Sequence, residues 1–282
     1  MIDLRFSESE LERHHEHVVS FVAHQVEAAG ADGAVIGLSG GVDSSLTAFL
    51  TVEALGAERV RGLVMPGEVS SQENMRDAEQ VAQTLEIEYD VVEIRPLVEQ
   101  LLAAYPDARG DRTPVGNVRA RTRAVLNYLV ANHENRLVVG TGNRSEALVG
   151  YFTKYGDGAV DCHPIGNLYK AQVRQMARAV GVPERIVKKP ATAELWEDQT
   201  DEEELGVSYE TLDQILAAHV DGPLTASATE RLLSVDRETI DRVTRLHERS
   251  AHKRATPPAP DRISTQTHVD NHADRDLGTN RD

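Results

Sequence analysis

Nine consecutive residues, Gly37-Leu38-Ser39-Gly40-Gly41-Val42-Asp43-Ser44-Ser45, have the makeup of a binding site for phosphate. Glycines let a backbone curl without Cβ clashes, so successive N–H groups and the start of a following helix can converge on one anion. Ser39, Ser44 and Ser45 can add hydroxyl donors. The string lacks the GxxxxGK(S/T) spacing and any lysine, which argues against a kinase-like or GTPase-like γ-phosphate site. An aspartate among phosphate-binding groups would repel its ligand unless a cation lay between them, so Asp43 reads as a Mg2+ ligand. The plainer alternative is a helix start that Asp43 or Ser44 merely caps.

Such a loop works only if a strand delivers it and a helix leaves it. Short β-branched runs at 34–38, 60–64, 89–94 and 136–139 are each separated by helix-length sequence. Before the first of them, Ser7 and Glu10 form a capping box, Leu11, Val18, Val22 and Val26 follow at near-helical spacing, and Gly30 ends the helix. Between the second and third, Met75, Ala78, Val81, Ala82 and Leu85 share a face after a Ser70/Glu73 capping box. Strand and helix in alternation predict an α/β fold, a doubly wound parallel sheet with helices on both faces. Thr141 and Glu146 follow the fourth strand, at the carboxyl edge where open parallel sheets bind ligands, so Glu146 can complete a Mg2+ site with Asp43, although an isolated Glu there reads by default as a solvated helix carboxylate. Beyond them come a Gly-rich stretch and helices near 168–180, 208–219 and 236–252.

The string SGGVDSS resembles the pyrophosphate-binding loop of the N-type ATP pyrophosphatases, whose adenine nucleotide alpha hydrolase-like fold serves adenylation of a carboxylate or carbonyl oxygen. GTGNRSE at 140–146, GYFTKYGDGAVD at 150–161, PIGNLYKAQV at 164–173 and QTDEEELGVSYE at 199–210 are similar to segments of the NAD synthetases, as are NVRARTR at 117–123 and AHKR at 251–254. The resemblance implies a catalytic domain over 1–255 that amidates deamido-NAD at the expense of ATP, with Mg2+ and within a homodimer. It implies that the loop from Gly37 to Ser44, Thr141, Lys170 and Thr192 contact ATP, and that Asp43 and Glu146 hold Mg2+. Asp43 and Lys170 then stand as the catalytic pair, while Arg121, Lys154, Asp161, His252 and Lys253 contact deamido-NAD. Relatives that use glutamine carry an additional amidase domain with a cysteine nucleophile. Here the loop begins near residue 37 after one helix and the sole cysteine is Cys162, so free ammonia is the expected nitrogen source. The competing possibilities are a tRNA-thiolating enzyme with the same loop and a non-catalytic adenine-nucleotide sensor.

Composition bears on these alternatives. With 282 residues, 40% of them hydrophobic, the chain can bury a substantial core. Acidic residues outnumber basic ones 46 to 30, and a net charge of −16 disfavours nucleic acid and anionic membranes as partners. One cysteine excludes an intrachain disulfide and a cysteine-rich zinc site, and argues against a sulfur relay. No apolar run of membrane-spanning length and no signal-peptide pattern occurs, so a cytoplasmic protein is expected. The acidic, lysine-poor surface suits a cytoplasm of high salt, where screening suppresses self-repulsion. His14, His15 and His17 lack metal-ligand spacing, and the acidic run 198–204 is expected to be a solvated face or an active-site loop.

The segment 256–282 is rich in Pro, Asp, Asn and Thr without apolar periodicity, and is expected to be a disordered polar tail. Removing it while retaining His252 and Lys253 is therefore expected to shift the melting temperature by no more than about 2 °C, the equivalent of about 0.5–1 kcal/mol. A larger fall in a thermal melt would mean that the tail docks on the body.

Overall fold

A computed structural model describes residues 2–192, 194–196 and 199–261. Most of the proposed tail, 262–282, therefore lies outside the described residues, while 256–261 are exposed and without regular structure. Four parallel strands, β1 (Gly33–Leu38), β2 (Val60–Val64), β3 (Glu88–Val91) and β4 (Arg136–Val139), form one sheet in the order β3-β2-β1-β4. Helices α1 (Glu8–Ala28), α2 (Val42–Leu55), α3 (Gln72–Thr84), α4 (Arg95–Ala104) and α5 (Arg112–His133) are interleaved with them. After β4 come α6 (Arg144–Val149), α7 (Lys170–Ala179), α8 (Glu184–Lys188), α9 (Asp201–Leu205) and α10 (Tyr209–Ile215), then α11 (Ala226–Leu233), α12 (Arg237–Arg249) and α13 (Ala251–Arg254).

The alternation of side chains along β1 sorts two cores. Ala34, Ile36 and Leu38 join a cluster with Val22 of α1, Leu46 of α2, Val81 of α3 and Met176 of α7. Val35 points the other way, to a cluster with Val98 of α4 and Ala131 of α5. Both faces of β1 are thus dry, which is why GAVIGL reads as a continuous apolar run. Each fully buried side chain of this size contributes about 1.5–3 kcal/mol. A third cluster, around Tyr209, Leu212, Ile215, Ile240 and Val243, packs the helices after β4 into a cap beside the sheet.

The first helix begins at Ser7 with the expected reciprocal Ser7/Glu10 box. The box expected at Ser70/Glu73 does not form: Ser71 caps α3 by accepting from Asn74 N, and Ser70 Oγ instead accepts from Gly67 N in the preceding turn. The third strand is shorter than the run 89–94 suggested. It lies at the sheet edge with a mostly exposed pattern, and Ile94 already turns into the helical region to start α4 ahead of Pro96. The helix expected over 208–219 changes register at Leu216–Val220, where a π-helical turn carries Asp221 onto Arg144 and Tyr169.

The order β3-β2-β1-β4 places the reversal of winding between β1 and β4. The loops leaving those two strands diverge there and open a crevice at the carboxyl edge.

Candidate active site

That crevice holds a cavity of about 410 Å³ lined by the loop after β1, the segment after β4, the start of α7 and the segment leading to α9. Gly40 adopts φ +76°, and a Cβ there would meet Asn74 O at 2.1 Å, so only glycine lets the loop pass this close to α3. Gly41 caps α2 without a side-chain hydrogen bond, which leaves the first N–H groups of the helix turned to the cavity mouth. The serines divide their tasks. Ser39 Oγ and Ser44 Oγ lie 3.0 Å apart and both residues line the cavity. Ser45 is buried and donates to Gly41 O at 2.8 Å, so it braces the loop and is not the free donor expected of it.

Asp43 does not cap its own helix. Its Oδ1 accepts from Asn143 Nδ2 at 2.8 Å and its Oδ2 from Lys170 Nζ at 2.6 Å. The same ammonium reaches Glu146 Oε1 at 3.1 Å. Asn143 and Glu146 close a capping box on α6, so one short helix aims Asn143 at Asp43 and Glu146 at the Lys170 ammonium. Lys170 opens α7, where Asp213 accepts from Ala171 N at 2.9 Å and Ser145 Oγ accepts from Lys170 N at 3.0 Å. Its side chain is 2% exposed, against 18% for Asp43 and 17% for Glu146, so the carboxylates present more of their surface to the cavity than Lys170, which also lines it. Burial disfavours the charged lysine, but Asp43 and Glu146 outweigh it and hold the ammonium above the usual lysine range. Burial pushes the Glu146 carboxyl up to about 7, with Lys170 opposing and Asp43 and Asp201 adding to the rise.

Thr141, Thr192 and Lys253 also line the cavity, as do the loop residues Gly37, Leu38, Ser39, Gly41, Val42, Asp43 and Ser44. Gly40 does not line the cavity itself, but its carbonyl accepts from Lys189 Nζ at 3.4 Å, and Lys189 does line it. The remaining candidates form a rim outside the cavity. Arg121 donates to Lys154 O at 3.2 Å, and Lys154 Nζ donates to His252 O at 2.6 Å, which joins three of them in one chain of contacts. Lys253 connects rim to cavity by donating to Gly150 O and Phe152 O, both at 2.7 Å. Asp161 stands apart from that chain, accepting from Val138 N at 2.7 Å and from Tyr128 Oη at 3.0 Å.

Several residues here carried no signal by themselves. Asn143 sits in an N-x-x-E capping pattern within GTGNRSE that could have been found. The acidic run is not a solvated face: Asp198 lies outside the described residues, but Asp201 is buried and Glu204 accepts from Tyr151 Oη at 2.8 Å, while Glu202 and Glu203 are exposed. One turn of α9 separates Asp201 from Glu204, which puts both on the cavity side. Trp196 closes the cavity wall against Gly116 of α5, under the Arg112 guanidinium at 4.1 Å. Of the clustered histidines His14, His15 and His17 of α1, two have ordinary partners, His15 on Glu53 at 2.8 Å and His14 stacked on Phe6.

Asp43 and Glu146 fit Mg2+ by their chemistry: two hard oxygen donors, partly open to a cavity whose glycine loop suits phosphate. Magnesium is commonly held by one or two carboxylates together with substrate phosphates, not by an all-protein cage. In keeping with that, no group of three or more His, Cys, Asp or Glu with metal-binding geometry occurs among the described residues.

The profile of a family described as NAD synthase matches residues 14–257. An NH3-dependent NAD+ synthetase of Halobacterium salinarum is 60% identical over 259 residues, which cover 92% of this chain and 97% of the relative. Among solved structures, the NMN synthetase of Francisella tularensis superposes with a TM-score of 0.79 at 34% identity, covering 91% of this chain and 99% of that one. The NH3-dependent NAD synthetase of Campylobacter jejuni gives a TM-score of 0.75 at 29% identity, covering 89% and 99%.

Proposed function

The chain belongs to the NAD synthase family, and on that premise we propose that it amidates deamido-NAD with ammonia, consuming ATP and releasing AMP and pyrophosphate. The observation that carries the reading is the meeting of a glycine phosphate loop with Asp43, Glu146 and Lys170 in one cavity. It is a carbon–nitrogen ligase. A carboxylate is inert toward ammonia at neutral pH, so its oxygen must first become a good leaving group by attack on the α-phosphorus of ATP. Ammonia then displaces AMP from the adenylate.

The chain's own groups suit these steps. Loop N–H groups and the α2 N-terminus hold the departing pyrophosphate, where fixed donors stabilise developing charge without reorganising. Asp43 and Glu146 would hold Mg2+, which when bound offsets charge on the phosphates. Lys170 keeps the two carboxylates together and adds a positive charge behind them. Thr141 and Thr192 flank the nucleotide, and Lys253 with the rim residues Arg121, Lys154, Asp161 and His252 receives deamido-NAD.

Rim residues need a wall on their open side. Val125 and Leu129 of α5 are 66% and 63% exposed, and with Arg121 they occupy positions i, i+4 and i+8 of one helix face. A homodimer that covers this stripe would bury the two apolar side chains and close the substrate site beside Arg121. The acidic composition, together with the relative from Halobacterium salinarum, supports a cytoplasm of high salt as the working environment. Among the described residues no helix is long and apolar enough to cross a membrane.

The test is product analysis with purified protein. NAD, AMP and pyrophosphate are expected with deamido-NAD, ATP and ammonium, and none with ammonia-free glutamine. Because the attacking species is unprotonated ammonia, turnover at fixed total ammonium should rise from neutral to mildly alkaline pH. Equal rates from glutamine would overturn the nitrogen source, and amidation of the mononucleotide in preference to deamido-NAD would overturn the substrate.

A further inference from the structure

One carboxylate in the cavity has no task in the scheme above. Asp201 is 4% exposed, and its Oδ2 accepts from Tyr209 Oη at 2.9 Å, but its Oδ1 is buried with no hydrogen-bond partner among the described residues. The Tyr151 hydroxyl stands nearby, yet its single proton goes to Glu204 at 2.8 Å. A buried polar group without a partner costs about 1–3 kcal/mol, more when charged. The surroundings aggravate this. Asp43, Glu146 and Asp201 all act on the one Lys170 ammonium, so when all three are ionised, three negative charges against one positive leave two unmatched. That is the charge of one divalent cation.

The backbone of Asp201 has a second connection. Its N–H donates to Ala191 O at 3.1 Å, beside Thr192, so the residue fastens the base of the cavity-lining segment that continues to Leu195 and Trp196. Tyr209 Oη ties the other end to the metal pocket, lying 3.4 Å from Glu146 Oε1.

We propose that Asp201 is a positioning residue for the magnesium–nucleotide complex: its charge tightens the Asp43/Glu146 pocket for Mg2+, and its link to Ala191 couples metal loading to the seating of the segment around Thr192 and Trp196. It acts from outside the ligand set, since the described residues contain no three-residue ligand group. The inference rests on the adenylating reading above.

Trp196 makes it measurable, because it is the only tryptophan and it sits in the coupled segment. Mg2+ is titrated into the full chain with saturating ATP, deamido-NAD and ammonium, and Trp196 emission is followed beside NAD formation. For the wild type, both signals are expected to respond with one midpoint. Asp201→Asn keeps size and the Tyr209 contact while removing the charge, and is expected to raise the Mg2+ midpoint of both signals by at least about tenfold, the effect usual for groups behind a metal's ligands. Asp201→Ser is read in the same way, so a loss of fold in one variant leaves the other. A folded variant with an unchanged Mg2+ midpoint overturns the proposal, even if its emission differs before Mg2+ is added, because that pattern marks a merely structural residue. A wild type that forms no NAD fails at the adenylating reading itself, before Asp201 is in question.

Discussion

Lys170→Met is expected to remove NAD formation by at least about two orders of magnitude and to destabilise the metal-free protein by about 3 kcal/mol, the lower end for breaking a buried ion pair. Methionine fills much the same volume, so the loss is one of charge. The ammonium is 2% exposed and contacts Asp43 at 2.6 Å and Glu146 at 3.1 Å. Without it, Asp43, Glu146 and Asp201 repel one another in a site too dry to screen them, and one or more must take up a proton. Denaturant unfolding in the presence of a chelator measures the stability term. Excess Mg2+ should restore part of it, since a cation again stands among the carboxylates, while turnover stays low because the charge behind the phosphates is missing. A variant within about 1 kcal/mol of the wild type and with normal turnover would refute the electrostatic account of this cluster.

What the sequence made legible follows the range of the forces involved. Local periodicity and capping chemistry revealed α1 and its Ser7/Glu10 box, because every partner lies within one turn. The alternation of apolar runs with helices was enough for a parallel sheet, and the glycine string identified the phosphate loop through its need for φ above zero at Gly40. The same local logic misplaced the α3 cap by one residue, since Ser70 and Ser71 both fit a capping pattern and only the turn at Gly67 decides between them. It also extended the edge strand past Val91, where Val92 and Ile94 still donate backbone bonds to Val64 O and Pro66 O but their side chains already pack into the core with α4.

The site was less legible because its members meet across long stretches of chain. Asp43 was legible from the loop's own chemistry and Glu146 and Lys170 through resemblance, but that one buried ammonium joins both carboxylates is a tertiary fact. Asp201 was hidden in an acidic run that, by composition, belongs in water. Helical spacing within α9 separates the inward pair Asp201 and Glu204 from the outward Glu202 and Glu203, and Tyr209 and Tyr151 supply the partners that make burial tolerable. Trp196 contacts α5 some eighty residues earlier in the chain, which no periodicity announces.

Glu146→Gln should separate function from stability in the opposite sense to Lys170→Met. Burial pushes the Glu146 carboxyl from 4.5 up to about 7, with the opposing pull of Lys170 already included and with Asp43 and Asp201 adding to the rise. The folded protein therefore keeps a proton there between about 4.5 and 7, where the unfolded chain has released it. The contribution to stability is intact below the unfolded value, declines as pH rises through this window, and stays lost above it. Glutamine does not titrate, has the same shape, and can still accept from Lys170. In a chelator, the melting temperature of Glu146→Gln relative to the wild type should thus climb between pH 5 and pH 8 and level off above neutrality. Turnover should be largely gone, because the neutral amide is a poor ligand for Mg2+. Excess Mg2+ should then reverse the order, since it binds the ionised pair of the wild type and stabilises only what it binds. A difference in melting temperature that is flat across this range, with or without Mg2+, would show that Glu146 acts through its α6 capping box alone and not as a charge facing the cavity.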